Sequence, residues 1–313
     1  MKLSVAFGAL GALLLCAAVA TSGPAVDPVD PVHSAAPVRR AEPPSPYEQI
    51  IPAPASTAPG GPGYPLGPGT VIRTTAGSAE VRAIGEQLAA AWRPGARLPL
   101  PVRATDAGAG TDGIRLRLDP YAGSFGEEGY RLQSDEDGVL VTAHRPAGLF
   151  RGTQTLRQLL SPGGAPWTVA GGTVTDTPRF AHRVATVEVV SRSVTVARVK
   201  RHVDRLALYK INVLRLHLAD GLWTEDEYGD LARHARARHM AVRRDRARPA
   251  PLRARTLATA GAWDSMAFPR VLDIAELGWS PAAALDRDAH RRRLAAHGAR
   301  LRTPCPPALP GCP

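Results

Sequence analysis

Lysine is nearly absent. Of 39 basic side chains only Lys2, Lys200 and Lys210 are lysine, the arginine bias that high-GC coding produces. Cysteine is scarce too: Cys16 falls in an apolar leader, leaving Cys305 and Cys312 in a Pro-rich tail, with no further Cys or His at ligand spacing to make a metal site. A disulfide between these two would staple only a tail loop. Long apolar runs are missing after residue 19, which excludes further membrane spans of about 18 residues. Aromatics are 5% of the chain, and no repeat recurs at solenoid spacing. Gly and Pro, 30 of each in 313 residues, fall short of a low-complexity composition.

What is present divides the chain in two. Residues 1–177 hold 14 basic and 15 acidic side chains, whereas 178–313 hold 25 and 13, so the charge of +11 belongs to the second part. Lys2, the apolar run Leu3 to Val19 and Ala18-Val19-Ala20 form a secretory signal peptide over 1–20. Leu15, ahead of Cys16, argues against a lipoprotein. The protein is therefore expected to be secreted, with no membrane association after cleavage. Residues 21–46, rich in Pro, Ala and Val, read as an extended linker.

From residue 47 the pattern becomes periodic. Val81, Ile84, Leu88 and Ala91 mark a helix over 79–92. Strands follow at Ile114–Leu118, Gly129–Leu132 and Val139–Ala143, the last entered by an Asp137-Gly138 turn, and a helix over 148–160 closes an α+β domain spanning 47–177. The β-branched run Val184–Val190, a helix capped by Thr195 and a strand over 212–218 make a βαβ unit, which forces parallel pairing. Thr224-Glu225-Asp226-Glu227 has capping-box spacing, so this acidic cluster is assigned to a helix start ending near Arg238. Met240-Ala241-Val242 begins a third strand. Residues 243–262 carry no period and read like high-GC coding out of frame, as does the tail 303–313; helical signals return over 270–277 and 286–301.

Three stretches, in order, carry a resemblance: Gly148-Leu149-Phe150-Arg151-Gly152-Thr153-Gln154-Thr155-Leu156; Pro178-Arg179-Phe180-Ala181-His182-Arg183 with Asn212-Val213-Leu214-Arg215-Leu216-His217-Leu218; and Met266-Ala267-Phe268-Pro269-Arg270 with Gly278-Trp279-Ser280-Pro281. Together they resemble the bacterial β-N-acetylhexosaminidases of glycoside hydrolase family 20. That resemblance implies an α+β N-terminal domain followed by a (β/α)8 TIM-barrel-like domain, here incomplete because 178–302 is half the roughly 250 residues of a closed barrel. It implies retaining, substrate-assisted removal of terminal N-acetylhexosamine, with an Asp-Glu pair orienting the acetamido group and protonating the leaving oxygen.

No such pair is found, so no catalytic residue is assigned and impaired or absent activity is expected. The resemblance carries over Arg183, His217, Asp220 and Trp279 as sugar contacts, with N-acetylhexosamine glycans or chitin oligosaccharides as partners and neither cofactor nor metal. It departs at Val184, Glu188, Ser191, Arg215 and Gly221. His217 also reads as a structural histidine among buried neighbours, and Trp223, Trp263 and Trp279 as core residues. Nine arginines against one Asp between Arg233 and Arg255 suggest a polyanion contact, but aromatics and nucleic-acid motifs are lacking and no nucleic-acid partner is expected.

Overall fold

The computed structural model describes residues 44–105, 112–161, 166–246 and 270–302, with backbone alone for 246 and 298–302. These fall within one compact unit spanning Pro43–Pro313. The signal peptide, residues 21–43 of the linker, Trp263, the Cys305 and Cys312 tail and most of 243–262 lie outside the described residues.

A 3-10 turn, Pro46–Gln49, opens the domain. Nine strands follow among its described residues: β1 (Ser56–Pro59), β2 (Tyr64–Pro65), β3 (Ile72–Thr75), β4 (Val102–Thr105), β5 (Gly113–Leu118), β6 (Tyr130–Ser134), β7 (Gly138–Ala143), β8 (Thr168–Val169) and β9 (Gly172–Asp176). Seven build a mixed sheet in the order β1-β9-β6-β7-β5-β3-β4, while β2 and β8 pair separately. Helices α1 (Ala79–Ala96) and α2 (Pro146–Leu159) cover one face. Ser78 caps α1 by accepting from the Val81 N–H, and Val81, Ile84, Leu88 and Ala91 are buried as their period requires. Gly152 lets α2 close on the sheet, since a Cβ there would stand 2.5 Å from Val141 Cγ1.

The second part is a parallel sheet, β10 (Val184–Val189), β11 (Val213–Leu218) and β12 (Ala241–Arg246), connected by α3 (Val196–Leu208) and α4 (Glu225–Arg236). Pairing is in register, Glu188 against His217 and His217 against Asp245. One face presents Ala185, Val187, Val189, Leu214, Leu216 and Leu218, all buried. Val199, Val203 and Leu206 of α3 are also fully buried, each worth roughly 1.5–3 kcal/mol of transfer free energy. The Thr224 capping box forms as its spacing predicts, with Thr224 Oγ1 accepting from the Glu227 N–H and Glu227 Oε2 from the Thr224 N–H.

The third strand runs through Arg246 although 243–246 has no apolar alternation. The exposed side chains of Arg243, Arg244 and Asp245 need none, because hydrogen bonds to β11 hold the backbone. Two further helices, α5 (Arg270–Trp279) and α6 (Arg287–Arg302), return to the first domain. There Glu276 Oε2 accepts from the Ala53 N–H at 3.1 Å, and the Ser280 hydroxyl donates to the Ala53 carbonyl at 2.8 Å.

Candidate functional site

The four expected sugar contacts separate into two pairs at opposite ends of the parallel sheet. Arg183 immediately precedes β10, and Trp279 ends α5 beside it. His217 and Asp220 lie at the far end of β11, about 16 Å away along the strand direction.

At the near end water is excluded. Arg183 is 1% exposed and Trp279 fully buried, with the guanidinium carbon 4.8 Å from the Trp279 ring centroid. Arg183 Nη2 donates to Glu128 Oε2 at 2.5 Å, Nε to the Lys210 carbonyl at 2.8 Å and Nη1 to the Phe180 carbonyl at 2.7 Å. The same Glu128 oxygen accepts from Arg151 Nε at 2.7 Å, and its second oxygen from Asn212 Nδ2 at 2.8 Å. Burial alone would raise the Glu128 carboxyl, but the two guanidiniums outweigh it and hold it below its usual range. Burial also pushes Arg183 down to about 10, against the attraction of Glu128.

A second cluster adjoins the first. Lys210 Nζ donates to Asp176 Oδ2 at 2.8 Å and to the Tyr130 hydroxyl at 3.0 Å, and it stands 4.5 Å from the Trp279 ring centroid. Tyr130 donates to the same carboxylate oxygen at 2.7 Å. Both members of the Lys210–Asp176 pair are fully buried. Burial lowers the Lys210 ammonium despite Asp176, and burial together with Asp176 raises the Tyr130 phenol well above its ordinary value.

The structure thus places Arg183 and Trp279, the first pair of expected sugar contacts, away from the surface. They face each other in a dry seam between the α+β domain and the parallel sheet, at the N-terminal ends of the strands. Gly278 permits this approach, since a Cβ there would meet Arg183 Cγ at 2.8 Å.

The far end is open. His217 is half-buried, and the face it shares with Thr186, Glu188, Arg215, Arg243 and Asp245 carries exposed polar groups. The buried residues that alternate with His217 occupy the opposite, helix-covered face. His217 Nε2 lies 3.8 Å and Arg215 Nε 3.4 Å from Asp245 Oδ2. Asp220 is exposed in the turn after β11, where Arg192 donates to the Gly221 carbonyl at 2.9 Å. Ser191 and Ser193 hydroxyls are bonded at 3.1 Å beyond β10. Trp223 is half-buried and donates its indole N–H to the Val194 carbonyl.

This end offers carboxylates, an imidazole and hydroxyls suited to sugar hydroxyls. Among the described residues no three His, Cys, Asp or Glu side chains cluster as a metal site, and no helix is long and apolar enough to cross a membrane. Sequence reasoning missed Glu128, Arg151, Asp176 and Lys210. Lys210 carried a usable signal, being a lysine amid Leu208, Tyr209 and Ile211, where a buried ammonium requires a carboxylate partner.

Comparison with known proteins gives this arrangement its setting. Residues 47–177 match the family model described as glycosyl hydrolase family 20, domain 2. A β-N-acetylhexosaminidase of Cellulomonas fimi is 42% identical over 123 residues, which are 39% of this chain and 24% of that protein. The β-N-acetylhexosaminidase structure from Streptomyces coelicolor A3(2) aligns with a TM-score of 0.57 at 42% identity, covering 65% of this chain and 47% of its own. A mutant Streptomyces plicatus β-hexosaminidase in complex with its product GlcNAc aligns at TM-score 0.57 and 42% identity, covering 67% and 47%. The match thus spans about half the length of these solved relatives and about a quarter of the Cellulomonas protein. Residues 47–177 thus carry glycosyl hydrolase family 20, domain 2, and the chain as a whole is similar to β-N-acetylhexosaminidases of that family.

Proposed function

We propose that the chain is an exported relative of the β-N-acetylhexosaminidases that binds terminal N-acetylhexosamine on glycans or chitin oligosaccharides without hydrolysing it. In this reading β10, β11 and β12 are part of a (β/α)8 barrel, and sugar meets the C-terminal ends of the strands, where barrel enzymes bind substrate. Residues 1–20 direct export, and 47–177 supports the sheet rather than the sugar.

The observation that carries the reading is the open polar end of β11, where His217 and Asp220 join Glu188 and Asp245. The GlcNAc complex of the Streptomyces plicatus relative supports the sugar class. Against hydrolysis stands the chemistry of a general acid, which needs a raised pKa beside the scissile oxygen. Among the described residues, the carboxyls whose pKa is displaced are all lowered: Glu128, Glu276, Asp230 and Asp286. The first two are also tied to arginines.

The test pairs hydrolysis of a chromogenic N-acetylglucosaminide with calorimetric binding of a chitin oligosaccharide by the purified chain. Binding without release is expected, weakened at least tenfold by Asp220→Ala and by His217→Ala. Release above background that Asp220→Ala abolishes would overturn the non-catalytic part. Absence of binding by the folded chain would overturn the sugar assignment.

A further inference from the structure

Away from the parallel sheet's open end, a cleft of about 110 Å³ lies between α1, α2 and α3. Its polar wall is basic. Arg157 of α2 and Arg238, just after α4, line it together with Asp204 of α3. Asp204 is already engaged: Arg238 Nε and His234 Nε2 both reach its Oδ1, the latter at 2.9 Å. Arg238 also donates to the His234 carbonyl.

Arg157 is different. Its Nη1 donates to Gln154 Oε1 at 2.7 Å, which fixes the plane of the guanidinium, while its buried Nε has no acceptor among the described residues. Two cations against one carboxylate leave one positive charge facing the cleft without a bonded counter-ion. A buried N–H without an acceptor is costly, and the guanidinium fork is shaped for a planar carboxylate. Burial lowers Arg157 to about 10 even with Asp204 nearby, so an incoming anion would relieve part of that penalty.

The remaining wall selects among anions. Leu88, Phe150 and Ala207 are apolar and buried. A cavity of about 150 Å³ takes a benzene ring, so this one takes a ligand of about four or five heavy atoms. Phosphate fits poorly, because some of its oxygens would lie against these apolar side chains without donors. We propose that the cleft is a binding site for a short-chain carboxylate, its oxygens on Arg157 and Arg238 and its alkyl end against Leu88 and Phe150. The site is independent of the sugar reading.

The test is thermal unfolding of the full chain titrated with sodium propionate at pH 7, with sodium chloride holding ionic strength constant. A saturable rise of about 3 °C is expected when propionate stands tenfold above its dissociation constant. Arg157→Gln should weaken the apparent affinity at least tenfold. Ala90→Leu, made at an exposed position on the cleft's rim, should block it sterically while keeping helix α1, so the test survives if Arg157→Gln fails to fold. A linear, unsaturable response, or an unchanged titration in folded Ala90→Leu, would overturn the site. Inorganic phosphate matching propionate would overturn its assignment to carboxylates.

Discussion

The two ends of one three-stranded sheet both carry charged side chains, but in opposite environments. At the N-terminal end Arg183, Lys210 and Trp279 are closed from water, and both cations have a carboxylate within reach. At the C-terminal end Glu188, His217, Asp220 and Asp245 stand at an open surface. The contrast teaches that a charged side chain acquires its part from the end of the strand beside which it stands. Register decides that, since five residues of extended chain separate the two environments.

The comparison is broken most severely at the buried pair. Lys210→Met leaves Asp176 charged and dry, with an expected loss of about 4 kcal/mol in urea unfolding. Arg183→Ala should cost about 3 kcal/mol by the same measurement, because Glu128 and the Trp279 ring lose their shared cation. Its folded fraction should bind chitin oligosaccharide as the parent does, and a selective loss of sugar affinity at unchanged stability would reverse the assignment of the two ends. Gly278→Ala, which presses a methyl group on Arg183, is expected to cost about 1 kcal/mol.

A smaller effect follows from the clasp between α5, α6 and the segment around Ala53. Burial alone would raise Glu276, but His290, Arg293 and the Ala53 N–H outweigh it and lower the carboxyl. The contribution of Glu276 is present above its unfolded value near 4.5 and is lost as pH falls through a lower folded value. The carboxylates of Glu276 and Asp273 raise His290 against burial, so its contribution is complete below about 6.5 and fades as pH rises through the folded value. The clasp is therefore tightest between about pH 4.5 and 6.5. In unfolding midpoints measured across pH, His290→Gln should lack the part of the decline above pH 6.5 that the parent shows. The smallest effect belongs to the open end: Asp220→Ala should change stability by less than about 0.5 kcal/mol while weakening sugar binding.

Helices α1 and α3 were legible because each carries an apolar period with a recognisable cap, whereas β12 was legible only at its start, since 243–246 has no apolar alternation. Thr195 accepts from the Arg198 N–H, as expected of a cap. Strands β1 and β4 were not legible. Ser56–Pro59 is exposed throughout and Val102–Thr105 buries none of its four residues, so neither offers the alternation that marks a half-buried strand. Their places come from pairing with β9 and β3, which is long-range information. The candidate site was legible as a set of residues but not as a geometry. Arg183 meets Glu128 across 55 positions and Lys210 meets Tyr130 across 80. No local pattern announces such partners.

The Glu128 carboxylate bears on how separable the two domains are. Its three donors come from α2, from the residue ahead of β10 and from the residue ahead of β11. A matched family segment ending at residue 177 keeps Glu128 and Asp176 but gives up Arg183, Asn212 and Lys210. Recombination at that border would transplant two buried anions stripped of most of their cations. The unit that sequence matching delimits is thus smaller than the buried charge network, and the whole seam should come apart in a single calorimetric transition.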